Sequence, residues 1–244
     1  MLENYLVLTY IGLIVALQSS IGVGVLVLGT PFLLLLKYNI VEVIFILLPI
    51  SIFTSLINLI IIRFSQKKLY VSTHNGIVKF FAVCIPSILV GLVILKYAQE
   101  YINFELLVSV VIILSILLVL LKDKIQVRIN FFRISILSVV GVIHGLTNSG
   151  GTLMSLALSN DNEKDNARYS ITFFYLVLAS FQYLVTVIIF YELYFLPKNI
   201  LLLLALTFGV ILGNIFIKFL SENSYKFIIN ALALISSILL ISNI

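Results

Sequence analysis

Eight stretches of this chain carry no charged side chain at all: Asn4 to Leu36, Val43 to Ile62, Phe80 to Leu95, Leu106 to Leu121, Ile134 to Asn160, Tyr169 to Tyr191, Asn199 to Ile217 and Phe227 to Ile244. A helix that crosses a bilayer needs about 20 apolar residues, within a range of about 17–25. Four of the stretches fit that length, two just below it can extend through their amphipathic flanks, and short charged loops are all that separates the eight. A soluble domain faces water with roughly 25% charged residues; here the share is 10%, with 62% hydrophobic residues and a mean hydropathy of +1.23. The expected fold class is therefore all-α, a polytopic integral membrane protein of about eight helical segments with the lipid bilayer as its solvent. The first charged residue is Glu3 and no basic front end precedes the first apolar stretch, so that stretch reads as part of the fold, not as a cleavable leader.

Two of the stretches are too long. As one straight helix, Tyr5 to Leu36 would extend about 48 Å, against a hydrocarbon core of about 30 Å. Its interior contains Gln18-Ser19-Ser20-Ile21-Gly22-Val23-Gly24, and the stretch from Phe131 to Ser159 contains His144-Gly145-Leu146-Thr147-Asn148-Ser149-Gly150-Gly151-Thr152. Glycines tolerate open backbone and disfavour helix interiors by about 1 kcal/mol each. Both stretches are therefore expected to break at these runs, either crossing once or folding back as re-entrant hairpins. Irregular backbone survives at membrane depth only where protein or a water-filled cavity surrounds it, which makes paired breaks pointers to a transport site.

The chain divides into a first repeat, residues 1–124, and a second, 125–244, each of four segments opened by a broken one. In each, the next segment bears a polar stripe: Ser51, Thr54, Ser55 and Asn58 in one, Thr172, Ala179, Ser180 and Gln182 in the other. Setting Gly24 against Gly151 also sets Ser20 against Thr147. Two repeats that each cross three times are inverted; two that cross four times are parallel. Pro49 and Pro86 should kink their helices, and Gly209 with Gly213 should let two helices pack closely.

A helix that restarts inside the membrane presents free N–H groups and about half a positive charge at its first turn. Hydroxyl and amide side chains there cap the helix or donate to a ligand, and glycines let a ligand reach the backbone. No Asp or Glu lies in the middle of any segment, so the expected ligand is a small anion, which such a site suits without requiring a lysine or arginine nearby. The candidate site residues are Gln18, Ser19, Ser20, Gly22 and Gly24 on one side and His144, Thr147, Asn148, Ser149, Gly150 and Gly151 on the other. His144, which titrates near neutrality when unperturbed, is a candidate to assist or to carry a coupling proton. No metal site or cofactor is implied: Cys84 is the only cysteine and reads as a packing residue. No nucleotide-binding loop G-x-x-x-x-G-K-[ST] occurs, and the net charge of +5 lies in loops, which argues against a nucleic-acid partner.

The loop containing Arg63, Lys67 and Lys68 and the loop containing Lys122, Asp123, Lys124, Arg128 and Arg133 each sum to +3, while Lys96, Glu100 and Glu105 sum to −1. The basic loops are expected on the cytoplasmic side. Two rivals to a carrier remain at this stage. One is an intramembrane enzyme using His144 and Ser149; the other is a non-transporting scaffold or assembly subunit.

The string Gly141-Val142-Ile143-His144-Gly145-Leu146-Thr147-Asn148-Ser149-Gly150-Gly151, with a Gly22-Val23-Gly24 cluster opening the first half, resembles the sulfite exporter family TauE/SafE across essentially the whole chain. Many members carry three consecutive glycines in each half and a proline several residues later. Here the first half has Pro31 after its cluster and the second has no matching proline. The resemblance implies a secondary transporter of the bacterial inner membrane, not an enzyme, moving sulfite, sulfonates or related organic anions. Direction, coupling ion and oligomeric state carry no signature in the sequence.

Overall fold

A computed structural model describes residues 5–65, 71, 74–121, 134–161, 163–191 and 200–241. Among them every regular element is helical and there is no strand. The first half contains α1 (Tyr5–Ile21), α2 (Val25–Leu35), α3 (Ile40–Ser65), α4 (His74–Lys79), α5 (Ile85–Ala98) and α6 (Phe104–Leu121). The second contains α7 (Ile134–Thr147), α8 (Gly151–Asp161), α9 (Lys164–Ile189), α10 (Ile200–Phe216) and α11 (Glu222–Ile241). Four helical stretches are long and apolar enough to cross a membrane: Ile40–Phe64, Gly76–Ala98, Lys164–Ile189 and Leu201–Phe219.

α4 and α5 form one crossing joined by a π-helical turn, Phe80–Cys84, just ahead of Pro86. Proline has no N–H and its ring crowds the carbonyl four residues back; a wider turn absorbs both effects. Pro49 sits within α3 without ending it.

Both long segments break, and both fold back. Tyr10 Oη donates to Leu28 O at 3.1 Å, and the rings of Tyr10 and Phe32 stack with centroids 3.6 Å apart. In a straight helix residues 10 and 32 would be about 33 Å apart, so α2 must run back along α1. The reversal is tight at Gly24, where a Cβ would lie 2.7 Å from Ile14 O and 2.8 Å from Gln18 N. Gly150 makes the same approach to Val140 and His144, its absent Cβ falling 2.7 Å from His144 N and 2.8 Å from His144 Cβ. Each glycine thus abuts residues ten and six positions before it.

In these close approaches Gly24 is like Gly150, where the sequence alignment set it against Gly151, and Gln18 then falls opposite His144 and Gly22 opposite Asn148. Backbone geometry agrees: Gly22 and Asn148 both have left-handed φ, 84° and 62°, and their N–H groups bond Gln18 O at 2.8 Å and His144 O at 2.9 Å respectively. Two adjacent glycines at 150 and 151 offered two registers, and only the close backbone approach selects one.

The hairpin α1–α2 returns to the end it entered from, and three helical passes, α3, α4–α5 and α6, follow along the bundle. Lys37, after α2, meets Glu105 at the start of α6 at 3.2 Å, which places both at that first end. The second hairpin consequently enters from the opposite end. There the Lys164 N–H at the start of α9 donates to Glu222 at the start of α11 (2.9 and 3.0 Å). This second end is basic: of the eight described Lys and Arg residues, Arg63, Lys79, Lys164, Arg168, Lys218 and Lys226 lie toward it, and Lys37 and Lys96 toward the other.

Packing partners exchange between the halves. α1 lies on α10 and α7 on α5; α2 touches α3 and α11, while α8 touches α9 and α6. α3 packs on α9, and α6 on α11. Gly209 and Gly213 behave as expected, closing α10 onto Gly12, Val15, Ala16 and Ser19 of α1. Gly91, Gly141 and Gly145 do the same for α5 and α7, and Gly141 and Gly145 share the four-residue spacing of Gly209 and Gly213.

Candidate functional site

Both short helices begin halfway through the bundle. Ser51 and Tyr175 are each the twelfth residue of a 26-residue helix, α3 and α9. At 1.5 Å per residue that is about 17 Å from either start. The first break lies against Ser51 through Gln18, and Gly151 lies under the ring of Tyr175. With α3 packed on α9 and α2 touching α8, the first turns of the two short helices open toward the middle of the molecule from opposite directions.

The first break is internally satisfied. Gln18 Oε1 accepts the Val25 N–H at 3.1 Å, which caps α2. Its Nε2 donates to Ser55 Oγ at 3.0 Å and reaches Ser51 O and Oγ at 3.3 and 3.4 Å. Ser19 Oγ accepts from Asn58 Nδ2 at 3.0 Å, and Ser20 Oγ donates to Leu17 O at 2.9 Å. Ser20 also lines an apolar groove with Gly213 and Phe216 of α10, away from the short helices. Gly22 packs against Ile171 and the Arg168 carbonyl. All five first-half candidates are buried, but their polar groups already have partners.

The second break differs. His144 is fully buried, the Asn148 backbone lies alongside its ring, and neither imidazole nitrogen has an atom in hydrogen-bonding geometry. Both side-chain atoms of Asn148 lack partners, as do Thr152 Oγ1 in the first turn of α8 and the Tyr175 hydroxyl. Tyr175 has Ser155 as its polar neighbour, but Ser155 donates to Thr152 O at 2.9 Å. A Cβ on Gly151 would fall 2.5 Å from both Cζ and Oη of Tyr175, so the phenol stands directly over the start of α8. Gln182 Nε2 donates to His144 O at 2.9 Å and leaves its Oε1 unpaired. Leaving a buried polar group unpaired costs about 1–3 kcal/mol. Several such groups around one helix start describe a place built for something polar.

A family model described as Sulfite exporter TauE/SafE matches residues 7–240, nearly the whole chain. The chain belongs to the TauE/SafE sulfite exporter family. It is a multi-pass membrane protein of a transporter family, as the resemblance implied. No curated protein and no solved structure matches it.

Within this family member the candidates fall into two groups. His144, Asn148 and Gly151 surround the start of α8. Thr147 Oγ1 donates to Ile143 O at 2.8 Å and accepts the Ser149 N–H at 3.2 Å, so it shapes the turn. Ser149 Oγ donates to Thr147 O at 3.2 Å. Gly150 provides the close backbone approach.

Sequence reasoning missed Tyr175, which an apolar stretch disguised as a core aromatic, and it placed Arg168 in a loop. The structure overturns that placement. Arg168 lies in the second turn of α9, 7% exposed, and its Nη2 donates to Ser19 O and, at 2.7 Å, to Asn214 Oδ1. Asn214 Nδ2 in turn donates to Asn58 Oδ1 at 2.8 Å. The available signal was amphipathic periodicity: the chain's most strongly one-sided helix starts at Lys164, before the charge-free stretch does.

Proposed function

We propose that this protein is a secondary transporter of a small oxyanion of the sulfite or sulfonate class, built as two inverted repeats, 1–124 and 125–244, with the anion seated at the start of α8. The observation that carries the reading is the set of unpaired buried polar groups there: His144, Asn148, Thr152 and Tyr175. The exchange of packing partners between halves and the opposed hairpins support the inverted repeat. The first turn of α8 supplies backbone N–H groups and a fractional positive charge. Tyr175, Thr152 and Asn148 supply side-chain donors, and Gly151 lets the anion approach the backbone. His144 takes the coupling proton. Inverted-repeat carriers bind near the bilayer midplane and expose that site alternately to the two sides, and the depth of Gly151 beside the middle of α9 suits this. The basic end faces the cytoplasm of a bacterium, whose plasma membrane holds the protein.

The test is uptake of radiolabelled sulfite, sulfonates and short carboxylates into proteoliposomes. Asn148→Gly is the cleaner variant because it removes the amide while keeping the left-handed φ of 62° that an alanine would strain. Uptake should fall about tenfold or more while the protein remains folded. Wild-type uptake by Asn148→Gly together with Tyr175→Phe would remove the α8 start as the site. Wild-type failure to move any of these anions would remove the transport reading.

A further inference from the structure

Arg168 is the described cation that lies deepest in the bundle, and its surroundings are unusual for a buried charge. Its hydrogen-bond acceptors, Ser19 O and Asn214 Oδ1, are both neutral, and its Nε has no partner. The acids facing this region are Asp165, one turn earlier on α9, and Glu222 at the start of α11. Glu222 is engaged by the Lys164 N–H. Tyr225, also on this side, spends its hydroxyl on Ile21 O at 2.9 Å. The carbonyl end of α1 offsets about half a unit of charge through its dipole. Asp165 offsets part of the rest, and the guanidinium sits beside the tip of the first hairpin, between the middle of the molecule and the basic end.

An ionisable group inside a membrane bundle is costly unless it serves a path or finds a partner. A guanidinium with an unused N–H offers a fork that matches two oxygens of a small oxyanion. We propose that Arg168 is a second anion subsite of the transport path, on the basic side of the breaks, where the anion replaces Ser19 O and Asn214 Oδ1 on the guanidinium. The inference rests on the transport reading and extends it. It also gives the subsite a consequence for movement. The bonds Arg168–Ser19, Asn214–Asn58, Tyr225–Ile21 and Ser170–Val71 all join one half of the chain to the other at this end. An anion on Arg168 competes directly with the first of them and frees Asn214 from its tie to α9, so arrival of the anion loosens α9 from the first hairpin and from α10.

The experiment is sulfite counterflow in proteoliposomes holding the full chain, with KM and maximal rate measured separately. Arg168→Gln keeps an amide donor for Ser19 O but loses the charge, and should raise the sulfite KM about tenfold or more; Arg168→Lys should recover most of that loss. Asn214→Ala removes a competitor for the guanidinium and should lower KM about threefold, a direction that a purely structural arginine gives no reason to expect. An unchanged KM in Arg168→Gln, or an unchanged or raised KM in Asn214→Ala, would overturn the subsite. Asn214→Ala alone decides the matter if Arg168→Gln does not fold. Wild-type protein that moves no sulfite or sulfonate would sink the transport reading before any variant is compared, whereas active wild type with unaltered variants removes only Arg168.

Discussion

Adding one methyl group at Gly24 tests the hairpin by the sign of its effect. If residues 5 to 35 formed one straight helix, Gly24→Ala would replace a poor helix former with the best one and stabilise the protein by up to about 1 kcal/mol. In the hairpin the methyl would lie 2.7 Å from Ile14 O and 2.8 Å from Gln18 N, both backbone atoms of α1 that no rotamer change can move. Forcing a group into a filled site costs about 1–3 kcal/mol. For a chain of this size, 1 kcal/mol corresponds to about 2–4 °C, so the midpoint should drop by about 2–12 °C. Gly12→Ala is the control: its methyl would meet Ala205 O at 3.5 Å and Ala205 Cβ at 3.8 Å, ordinary contacts, so it should be neutral or slightly stabilising. The protein has no tryptophan but has one buried cysteine, Cys84. A thiol-reactive fluorophore therefore reports thermal unfolding in detergent directly. A Gly24→Ala midpoint equal to or above that of Gly12→Ala would refute the fold-back at the first break.

Three further outcomes follow from the same geometry. Gln18→Leu strands the Val25 N–H and removes the donor to Ser55, so it should destabilise by about 1–3 kcal/mol in the thiol assay; an unshifted midpoint would mean that the cap is not made. His144→Gln places at the second break the residue that caps the first, and should raise stability by about 0.5–1.5 kcal/mol while abolishing anion uptake. Retained uptake would show that the start of α8 need not stay open. In a Cys84→Ser background, Phe64→Cys should react with a membrane-impermeant maleimide only from the cytoplasmic side and Tyr101→Cys only from outside, both positions being 86% exposed. The opposite labelling would reverse the orientation.

The helical class was legible because lipid leaves little choice: charge-free stretches of the right length must be helices. The breaks were legible because a helix of about 48 Å does not fit the core, and the glycine clusters marked where it must fail. What remained open was whether each break continues or reverses the chain. Glycine permits both, and only contacts such as Tyr10 with Leu28 and Phe32, far apart in sequence, distinguish them. The register between the halves was open in sequence for the same reason: Gly150 and Gly151 are alike in sequence and differ only in what lies against them, α7 backbone for one and Tyr175 for the other. Arg168 escaped notice because helices continue past the last apolar residue, and a charge next to an apolar stretch looks like loop until its burial is known.

The two breaks have the same backbone shape and different side-chain chemistry at one equivalent position, and that difference separates their roles. Gln18 carries an acceptor and a donor on one amide. It can accept the first N–H of α2 while donating to the hydroxyls of α3, and Ser51 and Ser55 are short enough to leave room for it. A neutral imidazole also has one acceptor and one donor, but they lie on opposite sides of a rigid ring. At the level of α9 where Ser51 would stand, the second half has the bulky Tyr175. The His144 side chain accordingly does not cap α8, while the glutamine of the first break caps α2. On the transport reading, the second hairpin holds the anion. The first, tied to α9 through Arg168 and to α11 through Tyr225, is the part whose bonds must be exchanged for the anion to pass.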